Sequence, residues 1–597
     1  MRLPCFLQMA IAGGMAFYGN PAAFPQGWPE YGHDPQHTTI SSRGAQTPEV
    51  TRWSTPVDLA PQYDGSDLYI HYGSPVITPG NTLILPVKTG ATDSFQVEAR
   101  AAGNYGALLW TLVTDYSVPP HDWFPICGVT LCSNGPTVVV PAAGGTILAR
   151  TAPDSNDGTT ARLAFYGIDN YDSDPDTCNA AIHICTPISS DALGNLYFGY
   201  VSTGAALPGF PDGIPSGLAR ISTTGVGSFV SAAEMSGDGS MSKVATNCAA
   251  AFSNDGTTLY VVVDNISPFA NGGFGQGYLC ALDSTTLARK SSVFLEDPRS
   301  IGAACVTDDS SATPTVGPDG DVYYGVLEAD LGSNNFRGWL LHFSSDLSTT
   351  KLAGAFGWDD TPSVVPASAV PSYSGPSSYL LLTKYNNYAG IGSGDGVNRL
   401  ALVDPNTPFT DPVSGAAAMN PFITVKGVTP DPDWVDEYPN AVREWCINSA
   451  AVDPANHCAL VNSEDGHLYR WDFTKATDAP GQLSPGLYLA PATGEAYTPT
   501  VVGPDGAVYA INNARLFSTT TVALFQPTVA ATSEMLSLTY HCAAPDVTYS
   551  VETSFDLTNW TTAGVDQGSG DVGQNISASI ILGGETQRFM RLRVTTP

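Results

Sequence analysis

One motif recurs along this chain and limits what it can fold into. A small residue, often followed by proline, leads into alternating apolar residues, a glycine-containing turn and a second apolar-aromatic run. It reads SPVITPGNTLILPV from Ser74, GPTVVVPAAGGTILA from Gly135, TPISSDALGNLYFGY from Thr186 and NCAAAFSNDGTTLYVVV from Asn247. It returns as TPTVGPDGDVYYGV from Thr313, as TPSVVP from Thr361 with SSYLLLTKY from Ser377, as SAAVDPANHCALVNSEDGHLYRW from Ser449, and as TPTVVGPDGAVYAI from Thr498. The second residue of each falls at 75, 136, 187, 248, 314, 362, 450 and 499, so eight units follow one another about 61 residues apart. D-G and N-D-G supply the positive φ that tight hairpin turns need. Alternating Val, Ile, Leu and Tyr suit a half-buried pleated surface.

A second motif follows most copies of the first: GYLCALDSTTLARK from Gly277, GWLLHFSSDLSTTK from Gly338, NRLALVDPNTPFTD from Asn398 and GHLYRWDFTKA from Gly466. ARLAFYGIDN from Ala161 and GLARISTTGVGSF from Gly217 read as weaker copies. Each predicts another hairpin. Two hairpins per unit give four strands, the content of one blade of a β-propeller. The expected fold is therefore all-β: an eight-bladed β-propeller over residues 24–520, with seven blades as the alternative count. Sixty glycines and 46 prolines fit many short elements and no long helix. After residue 520 the pattern changes. TYSVETSFDLTNW from Thr548 and QRFMRLRV from Gln587 predict a small C-terminal β-sandwich over 521–597, similar to immunoglobulin-like or fibronectin-like modules.

Acidic residues number 56 and basic ones 24, for a net charge of −32. Such a surface repels phosphate backbones, so a nucleic acid is not expected as a partner. No internal apolar run reaches the length of a transmembrane segment. Residues 1–23 combine Arg2, an apolar stretch from Leu3 to Tyr18 and Asn20-Pro21-Ala22-Ala23, which reads as a secretory signal peptide. The expected location is outside the cytoplasm: secreted, periplasmic or at the cell surface. Ten of the eleven cysteines would then remain in the mature chain, and an even number suits an oxidising compartment. The close pairs Cys127/Cys132, Cys178/Cys185 and Cys446/Cys458 are expected as local disulfides.

The TPTVGPDGDVYYG-type motif and its ALDSTT-type partner resemble the blades of the quinoprotein-like β-propellers, the family of the pyrroloquinoline quinone dehydrogenases. The segment WPEYGHDPQHT from Trp28 is similar to the opening of such proteins. The resemblance covers residues 28–520 and implies the fold. It also brings in pyrroloquinoline quinone and Ca²⁺ as the family's cofactors. The family's adjacent Cys-Cys pair is absent from this sequence, so the resemblance assigns no catalytic residue here.

Candidate site residues come from loops. Asp172, Asp174 and Asp176 alternate in an acidic stretch and offer oxygen ligands for Ca²⁺. Three aromatic-acidic segments are expected at one mouth of the channel, where propeller loops carry function. His121 and Trp123 represent the first, and Tyr385, Asp395 and Asn398 the second. Trp434, Glu444 and Trp445 close a long insertion. Aromatic faces there would stack on a sugar or a cofactor ring, and carboxylates would supply hydrogen bonds or acid/base chemistry. The chain shows no G-x-S-x-G elbow, H-E-x-x-H or P-loop. The leading expectation is a binding protein for a small-molecule, glycan or protein ligand at the channel mouth. A divergent quinone- and Ca²⁺-dependent dehydrogenase and a polysaccharide-active lyase or hydrolase stand as alternatives. Arg588, Arg591 and Arg593 give the C-terminal module positive charge, read as surface attachment or as part of a stabilising cap.

Overall fold

The computed structural model describes residues 27–65, 67–68, 72–120, 128–132, 137–300, 302–492, 498–521, 528–542, 548–571, 574–584 and 587–595. Eight antiparallel sheets follow one another in chain order. In seven of them the inner strand is the first half of the repeated motif: Val76–Ile77, Ser189–Ser190, Ala251–Phe252, Thr315–Val316, Ser363–Pro366, Ala451–Asp453 and Val501–Val502. In blade 2 the inner strand is Thr130–Leu131, ahead of the Gly135 copy, whose halves form the next two strands, Thr137–Pro141 and Thr146–Thr151. Each pairs with the strand that follows it, as Thr315–Val316 does across a tight turn with Val322–Val326. In blade 6 the connection is longer, residues 367–378 lying between Ser363–Pro366 and Tyr379–Lys384. The fifth blade has three regular strands. Isolated bridges from Leu340 to Gly354 and from Phe343 to Thr350 mark its fourth edge.

The sheets close into a ring, and the apolar clusters show it. One cluster joins blades 1, 2 and 3 through Val97, Val139 and Phe198. Others join blade 3 to 4, 4 to 5, 5 to 6 and 6 to 7. The last holds Leu460 of blade 7, Val508 of blade 8 and Leu85 of blade 1 together. Closure is hydrogen-bonded: the strand Val50–Pro56 is the outermost strand of blade 8 and pairs antiparallel with Arg515–Thr520. Trp53 of that strand donates its indole N–H to the Ala102 carbonyl of blade 1 at 3.1 Å and packs on Tyr509 of blade 8.

Before reaching that strand, residues 28–46 run round the axle and bond to the eight blades in order. Trp28 exchanges two main-chain hydrogen bonds with Ile77, and the Pro29 carbonyl accepts from Leu131 N at 2.7 Å. Glu30 Oε2 accepts from Ser190 N at 3.0 Å. The carbonyls of Pro35, Gln36, Thr38 and Thr39 accept from Phe252, Val316, Val364 and Val452, and Gln46 N donates to Gly506 O. From blade 1 to blade 7 the bonded group belongs to an inner strand, and in blade 8 to the turn that follows it. This strap therefore closes the turn end of the axle. The opposite mouth is left to the crossovers between blades and to the loops that follow each second strand. Tyr31 reaches up the axle, where its hydroxyl donates to Asn448 Oδ1 and also meets Thr361 Oγ1 at 3.2 Å.

Two expectations are corrected. ARLAFYGIDN is no hairpin: Thr160–Ala164 is the outer strand of blade 2, and helices Ile168–Ser173 and Pro175–Ala181 follow. Asp174 caps the second helix by accepting from Thr177 N at 3.2 Å, with Pro175 at its first position, a start signal that ends strand structure. The expected Cys178/Cys185 and Cys446/Cys458 disulfides are not formed, since no two cysteines among the described residues are bonded to each other. Cys178 lies in the core beside Tyr166, whereas Cys185 lies by Lys243 at the mouth. Cys446 meets Glu444, whereas Cys458 opens a strand beside Arg470. Cys127 and the expected signal peptide lie outside the described residues.

After residue 527, Thr528–Ala531, Met535–His541 and Asn575–Ile581 form one sheet, and Thr548–Ser554 pairs with Phe589–Thr595 in another. Leu538, Tyr540, Val551, Ile576 and Ala578 are buried between the two sheets, giving a small β-sandwich.

Two substitutions test ring closure. Trp53→Ala removes the wedge between blades 8 and 1, at an expected cost of about 3–5 kcal/mol in urea unfolding. Tyr31→Phe strands the Asn448 acceptor, at about 1–3 kcal/mol. If neither lowers stability, neither residue braces the ring.

Candidate functional site

Strand direction decides what faces the mouth. Each inner strand runs toward its turn and each second strand runs back, so second strands end at the mouth. Three of them end in a charged residue: Thr82–Lys88, Thr258–Asp264 and Tyr379–Lys384. The crossovers before the inner strands add Lys243, Asp308, Asp359, Asp360, Glu444 and Asn448. All of these except Glu444 are buried.

Between blades 4 and 5, Lys243 Nζ lies 3.0 Å from Asp264 Oδ2 and 2.5 Å from Asp308 Oδ1. Thr246 Oγ1 donates to Asp308 Oδ1 at 2.9 Å. Burial pushes the Asp264 carboxyl up to about 6 despite the nearby lysine. Between blades 5 and 7, Asp359 Oδ1 accepts from Ser311 N at 2.6 Å and from Ser311 Oγ at 2.7 Å. Asn448 Nδ2 donates to the same Ser311 Oγ at 2.8 Å. A continuous polar chain thus links the strap, through Tyr31 and Asn448, to the mouth. Lys384 Nζ donates to the Asp359 carbonyl at 2.5 Å. Asp360 accepts from Thr383 Oγ1 at 2.6 Å, and burial pushes its carboxyl up to about 7.

The crossover from blade 6 to blade 7 completes the wall. Asn386 clamps it: its Oδ1 accepts from Trp445 N and its Nδ2 donates to Trp445 O, each at 3.2 Å. Extended backbone alternates faces, so Glu444 and Cys446 share the side opposite Trp445. Glu444 N donates to Glu464 Oε1 at 3.1 Å, and the Cys446 thiol points at Glu444 Oε2 at 3.9 Å. Burial, with Asp431 close by, pushes the Glu444 carboxyl up to about 7.

Of the residues expected from sequence, Glu444 stands at this wall and Trp445 directly behind it. Trp445 is 1% exposed and belongs to the core between blades 6 and 7, so it offers no face to a sugar. Trp434 packs over Gly390, where a Cβ would stand 2.6 Å from the ring. Asn398 ties the two loops together, accepting from Asn387 N and donating to Val442 O at 2.8 Å. Asp395 accepts from Val397 N and Asn387 Nδ2 in an exposed turn. The Tyr385 hydroxyl lies 3.4 Å from Asp411, with the Arg337 guanidinium over its ring, away from the mouth. His121 and Trp123 lie outside the described residues. Asp172 and Asp176 stand on the two short helices, and Asp174 is the cap residue between them. Among the described residues, only Glu444, Cys446 and Glu464 bring three such ligand atoms within 4.8 Å of one another.

Sequence reading missed Lys243, Asp264, Asp308, Asp359, Asp360, Cys446 and Glu464 as site residues. A signal exists for several of them. TLYVVVD is an apolar strand closed by one charge, and the Asp-Asp pairs of DDSSATPTV and DDTPSVV directly precede the repeat motif. Two open grooves of about 550 and 650 Å³ lie elsewhere, one beside Lys426 and Asp478 and the other beside Asp255 and Asp346. Neither contains the mouth residues.

No family model and no curated protein matches this chain. Among solved structures it is similar to a europium-containing methanol dehydrogenase, at 9% identity and a TM-score of 0.48, over 87% of this chain and 90% of that one. It is similar to the quinohemoprotein alcohol dehydrogenase from Comamonas testosteroni at 11% identity and a TM-score of 0.43, over 95% and 82%. It is also similar to Chaetomium thermophilum Sqt1 at 12% identity and a TM-score of 0.39, over 79% and 99%. At these values the likenesses say nothing of activity.

The raised carboxyls set a pH dependence. An acid whose native pKa exceeds its unfolded value binds more protons when folded, so stability falls as pH rises from about 4 to about 7. Asp360→Asn keeps an acceptor for Thr383 and removes the buried charge. Its melting temperature relative to wild type is expected to rise by a few degrees between pH 5 and pH 8. A difference independent of pH means that Asp360 is ordinary in its titration.

Proposed function

We propose that the protein is a binding protein that takes a small cation at the mouth opposite the strap. The observation that carries this reading is the charge of that wall. Asp264, Asp308, Asp359, Asp360, Glu444 and Glu464 face two lysines, Lys243 and Lys384, on neighbouring crossovers of blades 4 to 7. Excess buried carboxylate is costly unless a cation offsets it. Perturbed carboxyls gathered at one place are a mark of functional sites. Asn247 and Ser449, on the crossovers of the same blades, each bury a side-chain polar atom with no partner among the described residues, as a ligand or water site would. The burial of the wall favours an occupant of metal-ion or small-amine size over a glycan.

The dehydrogenase reading is less well supported. Pyrroloquinoline quinone is a tricarboxylate, and an acidic wall repels it. These residues do not fit the quinone, and no step is derived through it. In the C-terminal unit, Arg591 and Arg593 pair with Glu552 at 2.6 and 3.2 Å. Arg588 lies over Phe555. That pairing favours a stabilising cap over surface attachment. Placement outside the cytoplasm rests on residues 1–23 alone.

Equilibrium dialysis of the full chain against a short aliphatic diamine and against divalent metal ions tests the reading. Binding of at least one of them is expected, weakened about tenfold or more in Asp360→Asn with Glu444→Gln and unchanged in Asp172→Asn. No cation bound, or binding indifferent to the mouth pair, overturns it.

A further inference from the structure

We propose that Glu444, Cys446 and Glu464 form a metal centre for a divalent ion of zinc type, with the open coordination position facing the mouth. This deepens the cation-binding reading and rests on it. The ligand atoms lie within 4.8 Å of one another. A single ion at about 2.3 Å from sulfur and about 2.0–2.2 Å from oxygen spans that separation after a small contraction.

The donor set chooses the class of metal. A thiolate favours Zn²⁺ and its neighbours over Ca²⁺ and Mg²⁺, which prefer all-oxygen shells. The frame is built before any ion arrives. The Asn386 clamp fixes Trp445 from both sides of its peptide, and Trp445 is locked into the core between blades 6 and 7. That fixes the flanking residues, Glu444 and Cys446, on one face of an extended segment. Glu464 comes from the loop after the blade 7 second strand Cys458–Asn462 and is held by the Glu444 main-chain N–H. The three ligands thus come from two segments, the clamped crossover and the loop beside it, that are already hydrogen-bonded to each other. Cys446 and Glu464 are buried while Glu444 keeps partial exposure, so an ion has a way in past Glu444. On binding, the thiol proton that Cys446 directs at Glu444 leaves to solvent. One divalent cation enters, and no electron moves.

Cobalt serves as the probe, because a thiolate bound to Co²⁺ gives a near-ultraviolet charge-transfer band. Titrating the metal-stripped, reduced full chain with Co²⁺ is expected to give that band with a one-equivalent end point. Zn²⁺ abolishes it and excess Ca²⁺ does not. Cys446→Ser removes it, while Glu464→Gln weakens Co²⁺ binding about tenfold or more. Circular dichroism of both variants checks that the ring persists, and Glu464→Gln carries the test if Cys446→Ser does not fold. No band in the wild-type chain overturns the proposal. So does a band that survives in Cys446→Ser or is unmoved in Glu464→Gln, and so does displacement by Ca²⁺ as readily as by Zn²⁺. Diamine binding that persists without the cobalt band removes the metal centre and leaves the wider reading standing.

Discussion

A single ribbon, residues 28–46, hydrogen-bonds to all eight blades in turn, through its main chain in seven of them and through the Glu30 carboxylate in blade 3, and the rest of the molecule depends on those bonds. A propeller blade alone buries little apolar area and leaves inner-strand N–H groups facing the axle. Buried main-chain donors must be paired. From blade 2 to blade 7 the strap supplies an acceptor to an inner-strand N–H, mostly through its own carbonyls, and it does so within fewer than twenty residues. The same chain then leaves the axle and becomes the outer strand of blade 8. Inner and outer closure are thus covalently one segment, which couples the first blade to the last.

Plugging one end gives the axle polarity. With the turn end filled by Tyr31, His37 and the strap backbone, the polar side chains contributed by the blade crossovers converge toward the other end. Burial keeps His37 neutral, its pKa pushed down to about 4, while its Nδ1 sits 2.8 Å from the Pro314 carbonyl. The strap end keeps its own buried ionisable groups, Glu30 and the His33–Asp34 pair, whereas the mouth end gathers lysines and carboxylates from several blades. The Tyr31–Asn448–Ser311–Asp359 chain joins the two ends. A change at the mouth thus has a hydrogen-bonded route to the strap.

The fold was legible because the repeat encodes it locally. Proline or another small residue, alternation and a D-G turn each specify one feature of a blade, and the feature recurs often enough to outweigh variation in any copy. Ring closure by residues 50–56 was not legible, since a pairing between Val50–Pro56 and Arg515–Thr520 leaves no local trace. The site was read in part. Glu444 and Trp445 stood out as members of an aromatic-acidic insertion, but their composition does not say which faces inward. Alternation along the extended segment decides that, and it turns Trp445 into the core. The cysteine pairs failed for a related reason: nearness in sequence carried no information about which wall of a blade each thiol faces.

The use of lysine supports a special status for the mouth. The chain has only seven lysines among 24 basic residues, and lysine is rarely fully buried. Yet Lys88, Lys243 and Lys384 are each no more than 2% exposed, and all three stand at the mouth ends of blade strands. Lys88 pairs with Asp58 at 2.9 Å and donates to the carbonyls of Ala60, Gly90 and Ala91, so it is fully engaged and structural. Lys243 and Lys384 differ, since each meets more carboxylate than it can neutralise. A wall built only for stability would pair charges one to one or replace them with apolar side chains, which is often the more stable solution. The surplus of acid persists where apolar packing was available on every neighbouring blade, and that favours selection for a cation there over selection for the ring itself.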